Sequence, residues 1–114
     1  MAELLHLADP AEWAEAQRAG SYDRSTRGAS LGEVGYVHCS YPDQVERVAA
    51  HVYADWTGEL VLLRIDPDLL GVQVVEENLE GGEELFPHVY GPVPVEAVTS
   101  VEPMRRVDGA WRVP

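Results

Sequence analysis

At 114 residues and 46% hydrophobic content, the chain has the length of one domain and enough apolar side chains to build a core without disulfide or metal staples. Twenty acidic residues against eight arginines and no lysine give a formal net charge of -12, which disfavours nucleic acid as a partner, because polyanion binding draws on Lys and Arg. No stretch approaches the ~18 apolar residues of a membrane span, Met1 to Leu7 lack the basic start of a secretory signal, and the single cysteine, Cys39, leaves no internal disulfide, so a cytoplasmic protein with no membrane partner is expected.

The run ELLHLA, residues 3 to 8, reads as a first strand. Behind it, Asp9 suits a helix cap, Pro10 the first helical position, and Glu12 a box-like arrangement. That helix should run to about Ala19 and stop at Gly20. SYDRSTRGASLGE, residues 21 to 33, has no period and reads as a surface loop of a length that often carries function. GYVHCS, residues 35 to 40, is the second strand, with Ser40 and Asp43 marking a second capped helix start. Val45, Val48, Ala49, Val52, Tyr53 and Trp56 then share one helical face, while Glu46, Arg47, His51 and Asp55 fall off it, and Thr57-Gly58 ends the helix.

ELVLLRID, residues 59 to 66, is nearly continuous in apolar character, which places it centrally with both faces covered, until Pro67 breaks it. GVQVVEE is a further strand leading into the acidic loop NLEGGEE. LFPHVYGPVP, residues 85 to 94, carries His88 and Tyr90 two apart on a strand that Pro92 and Pro94 end or confine to an edge. AVTSVEPMRRV and AWRV flank Asp108-Gly109, a two-residue hairpin signal. Strand, helix, strand, helix, then strands alone predict a single-domain α+β fold over residues 1 to 114.

Period-two geometry puts Tyr36, His38 and Ser40 on one face and Val37 and Cys39 on the other, so Cys39 is a core thiol and not a partner for His38. Phe86, His88 and Tyr90 share a face if Pro87 leaves that strand regular, and His6 groups with Leu4 and Ala8. A single strand histidine is ordinarily a half-buried residue satisfied by backbone. Three on three strands point to a pocket for an organic ligand. A three-histidine metal site is the alternative from another class, although no His-x-His or His-x-x-x-His spacing accompanies it. The acidic run Glu76, Glu77, Glu80, Glu83 and Glu84 reads as solvated charge, with a general base as the minor reading. Arg105, Arg106 and Arg112 read as a solvated hairpin face, and Trp13, Trp56 and Trp111 as packing residues.

The segments LLHLADPAEW, GYVHCS, ELVLLRID and FPHVYGPVPVEAV together resemble the bacterial family called domain of unknown function 952, over roughly residues 3 to 102. More distantly, they are similar to the catalytic half of the RNA 2'-phosphotransferases, which belong to the ADP-ribosyltransferase superfold. The resemblance implies split antiparallel or mixed β-sheets with two helices near the N-terminus, NAD as cofactor, and a small nucleotide as partner. It implies that His6 contacts the NAD ribose, that His38 lies beside the nicotinamide, and that Ser40 keeps the serine of the same motif, with Tyr36 and Phe86 lining the cofactor site. His38, His88 and Tyr90 are the implied catalytic candidates, with a histidine as the base. For the third superfold position, a glutamate in many members, Glu84, Phe86 and His88 compete. His6-Leu7-Ala8 stands where those enzymes have His-Gly-Thr. A binding module that kept the fold without the reaction is the alternative from a different class.

Overall fold

The computed structural model describes residues 3–79 and 82–114. Strand β1 (Leu4–Ala8) leads into α1 (Pro10–Ala19), where Asp9 accepts a hydrogen bond from the Ala11 amide and Gly20 closes the helix at φ 92°. Glu12 does not close a box; its carboxylate instead pairs with Arg24 at 3.3 Å. A Cβ at position 20 would meet nothing within 4 Å, so Gly20→Ala isolates the cost of left-handed backbone. A loss of about 1 kcal/mol is expected, read as a lower denaturant midpoint with unchanged m.

The segment from Ser21 to Glu33 departs from the expected open loop. Ser21–Tyr22 form β2, paired with the later strand β7 (Val93–Pro94), and Ser30 and Glu33 make a reciprocal capping box for the short helix α2 (Leu31–Val34). Between them the chain doubles back: Arg24 bridges to Ser30, and the Ser25 amide bonds the Ala29 carbonyl at 2.9 Å. The polar composition that suggested a loop serves here as cap and turn chemistry.

Strand β3 (Val37–His38) is short, and Ser40 does not cap a helix. Its backbone exchanges two 2.8 Å hydrogen bonds with Leu5, and helix α3 (Val45–Val52) starts later, with the Gln44 side chain accepting from the Tyr41 amide at 3.0 Å. The helix ends at Tyr53, short of Thr57-Gly58, yet Val45, Ala49 and Tyr53 bury the expected face. Strand β4 (Val61–Ile65) is central, between β1 and β8 (Val98–Pro103), and Pro67–Leu69 form a single 3-10 turn after it. A second sheet has the order β3, β6 (Phe86–Val89), β5 (Val74–Glu77). Another 3-10 turn, Val95–Ala97, precedes β8, and β9 (Arg105–Val107) pairs with β10 (Ala110–Arg112) around Asp108 and Gly109, both at positive φ. Every strand pairing among the described residues is antiparallel, so the mixed-sheet alternative does not apply, and the fold is α+β.

The β1-β4-β8 sheet divides two cores. Leu4, Ala8, Leu63 and Ile65 face one, with Trp13, Tyr22, Val37, Cys39 and Val89. Leu5, Leu7 and Leu62 face the other, with α3 and Trp111. The two three-stranded sheets are joined where Leu5 bridges Ser40, and this seam positions the site. No helix among the described residues is long and apolar enough to cross a membrane.

Candidate functional site

In the register of β3 and β6, Val37 faces Val89 and His38 faces His88. The expected alternation holds: Val37, Cys39 and Val89 enter the core, while aromatic rings fill the other face. Tyr36 stacks on His88 with centroids 4.0 Å apart and planes at 13°. His88 lies 5.3 Å from the His38 ring, and His38 lies 4.9 Å from Phe86. Glu77, on the neighbouring strand, accepts from His88 Nδ1 at 2.9 Å and from the Tyr90 hydroxyl. These two donors, Tyr90 first, hold the Glu77 carboxyl below the usual carboxylate range.

His6 spans the seam. Its Nδ1 lies 2.7 Å from the His38 carbonyl, which can only accept, so Nδ1 carries the proton and Nε2 accepts from the Tyr22 hydroxyl at 2.9 Å. Both ring nitrogens are thus engaged by protein. Burial drives the imidazole pKa down to about 4 and keeps the ring neutral. The same burial, reinforced by Glu12, raises Tyr22 and keeps its hydroxyl protonated.

Beside the seam a cleft opens between α3, the Ser25–Ala29 turn and the two sheets. Its outer chamber, about 250 Å³, is walled by His38 and Phe86 on one side and by Gln44, Arg47, Val48, His51 and Val52 on the other, with Thr26 and Glu84 at the edges. A second, smaller chamber of about 20 Å³ lies against β1, among His6, Ser25, Arg27, Ser40 and Tyr53. His38, Thr26, Val48 and Val52 border both. Arg27 ties the turn to α3 by donating to the Val52 carbonyl at 3.1 Å and pairing with Asp55, its guanidinium over the Trp56 ring at 5.0 Å. Arg47 pairs with Glu84, whose carboxylate also receives the Gln44 amide at 3.2 Å.

The cleft therefore gathers His6, His38, Ser40, Phe86 and, at its edge, Glu84 from the sequence-based set. It does not gather the rest. His88 is fully buried behind His38, Tyr36 covers its far side, and Tyr90 sits at the outer end of the ring row, so neither His88 nor Tyr90 forms the third wall expected of them. Periodicity assigns a face but not a depth. Of the acidic run, Glu76 accepts from the Tyr41 hydroxyl at 2.9 Å, Glu77 and Glu84 are engaged as above, and Glu80 lies outside the described residues. Burial pushes the Cys39 thiol up to about 12, which fits a core thiol. Among the described residues no group of three or more His, Cys, Asp and Glu side chains is arranged to hold a metal ion, and both His6 ring nitrogens are engaged by protein. Ser25, Thr26, Arg27, Gln44 and Arg47 were not foreseen at the site. The available signal was scarcity: two of only eight basic residues, Arg27 and Arg47, flank the cleft.

The sequence model of the family described as "Protein of unknown function (DUF952)" matches residues 7–101. The chain is similar to the crystal structure of protein CC0527 from Caulobacter crescentus, at 28% identity and TM-score 0.77, over 96% of this chain and 93% of that one. It is similar to the solution structure of the same protein at 27% identity and TM-score 0.77, over 97% of this chain and 91% of that one. No curated protein matches the chain.

Proposed function

We propose, from the premise that the chain belongs to the family of unknown function DUF952, that its cleft binds the nicotinamide-ribose half of NAD and supports transfer of ADP-ribose to a small acceptor. The observation that carries this reading is the position of His38. Its side chain borders both chambers, beside the Phe86 ring, and within a cleft flanked by two arginines in a chain of net charge -12. Pockets that enclose a drug-sized ligand run from about 300 Å³ upward. The outer chamber, at about 250 Å³, suits one half of a dinucleotide and leaves the adenosine half outside. Arg47, which lines the outer chamber, supplies positive charge for the diphosphate by exchanging its Glu84 partner for it.

In such a reaction the bond between nicotinamide nitrogen and ribose breaks, with its electron pair leaving on nicotinamide. The acceptor oxygen bonds the resulting oxocarbenium carbon and loses its proton to His38, a histidine at the cleft wall. The ring row behind His38 fixes its orientation, with Glu77 locking His88 and Tyr36 covering it. His6 serves by holding the seam and the His38 backbone, because its nitrogens are engaged.

Calorimetry with NAD, ADP-ribose and nicotinamide tests the reading. NAD and ADP-ribose should bind below millimolar, and His38→Ala should weaken NAD by about tenfold, the worth of a single good contact. Absence of binding at millimolar ligand, or binding indifferent to His38→Ala, would sink it. Nicotinamide release over hours separates a transferase from a binding module that keeps its nucleotide intact.

A further inference from the structure

The outer chamber is crossed at its edge by an ion pair of the chain's own. Arg47 on α3 and Glu84, two residues before Phe86, both line it, so their pairing spans its two walls. Glu84 is not a loose surface carboxylate. Gln44, itself buried, donates to the same carboxylate oxygen at 3.2 Å and to the Leu85 carbonyl at 3.0 Å, while its own carbonyl accepts from the Tyr41 amide. An anchor fixed at the start of α3 thus holds the carboxylate beside the guanidinium.

What this does to a ligand depends on the ligand's charge. Val48, Val52, Phe86 and His38 give the chamber apolar and aromatic surface that a neutral ring can meet with the ion pair intact. An anion that uses Arg47 must take the guanidinium from Glu84, which competes at the effective concentration of an intramolecular partner. The side chains of Arg47 and Glu84 are 62% and 46% exposed, which keeps the pair weak enough for a ligand to displace.

We infer that Glu84 is a specificity-determining residue, a tethered carboxylate that competes with the ligand's anion for Arg47 and so sets how far the outer chamber prefers an anionic ligand over a neutral one. On the nucleotide reading, on which this rests, the carboxylate gives way to the diphosphate. Specificity is a difference between two affinities, and Glu84 lowers only the one for the anion.

Calorimetry with ADP-ribose and nicotinamide on the wild type, Glu84→Gln and Glu83→Gln tests this. Glu83 is an exposed neighbour outside both chambers, and its substitution changes the net charge equally. Glu84→Gln should tighten ADP-ribose about fivefold, near the most that an exposed pair is worth, and Glu83→Gln should stay within twofold. Nicotinamide should gain less than twofold in either variant, and the gain for ADP-ribose should disappear in an Arg47→Ala background. Equal gains from Glu84→Gln and Glu83→Gln would assign the effect to net charge and overturn the inference. So would a gain for nicotinamide equal to that for ADP-ribose, or one for ADP-ribose that survives Arg47→Ala. ADP-ribose binding indifferent to Glu84→Gln defeats the role of Glu84 alone, whereas binding of neither NAD nor ADP-ribose, by the wild type or by Glu84→Gln, defeats the nucleotide reading and this inference with it.

Discussion

Acidification from pH 7 should cost the protein about 2 kcal/mol by pH 5 and about 3 kcal/mol once below pH 4 through His6 alone. The imidazole pKa falls from 6.5 to about 4 on folding, driven by burial. Between these values the unfolded chain binds a proton that the folded one refuses, so stability rises with pH across that window and is lost as pH falls from 6.5 towards 4. The location matters as much as the size. His6 joins Tyr22 to the His38 carbonyl beside the Leu5–Ser40 bridge that connects the two three-stranded sheets, so its protonation strains the seam itself. Urea titrations at several pH values would measure the slope. His6→Gln offers one donor and one acceptor without titrating, and should flatten the profile between pH 7 and 5, where most carboxylates have not yet protonated. An unchanged slope in His6→Gln would assign the acid sensitivity to other groups.

His88→Ala should cost about 2–4 kcal/mol, because it empties a fully buried site. It removes the ring stacked on Tyr36 and adjoining His38, and it takes one of two donors from Glu77. His88→Phe keeps a ring against Tyr36 while losing the bond to Glu77, and should cost about 1–2 kcal/mol. Neither chamber is lined by His88, so His88→Phe should leave NAD affinity within twofold. Retained stability with abolished nucleotide binding in His88→Phe would instead make the ring a ligand contact. Denaturant midpoints and calorimetry on the same samples separate the two outcomes.

Much of the fold was legible locally. Asp9, Pro10 and Gly20 bound α1, the spacing of Val45, Ala49 and Tyr53 marks the buried face of α3, and Asp108-Gly109 turns the last hairpin, all through interactions a few residues apart. The apolar run at Val61–Ile65 announced its central position for the same reason that it is central, since both its faces are covered. What escaped was long-range. Tyr22 opposite Val93 links segments whose composition suggests no pairing, and Ser40 gives its backbone to Leu5 where its side chain suggested a cap. The site follows the same division. His38 and Phe86 could be set on one face by alternation, but Ser25, Thr26 and Arg27 reach the cleft only because their turn folds back against α3. Nothing in their spacing records that.

The central strand separates the consequences of sequence change. Leu62 touches the core under α3, and Leu63, one position on, touches the core under α1. Substitutions at sites with no shared partners combine nearly additively. One half of the molecule can therefore drift or be repacked while the other keeps its tolerance. Substitutions on the α3 side, which forms a cleft wall, should therefore combine nearly additively with substitutions around Trp13 and Ala16.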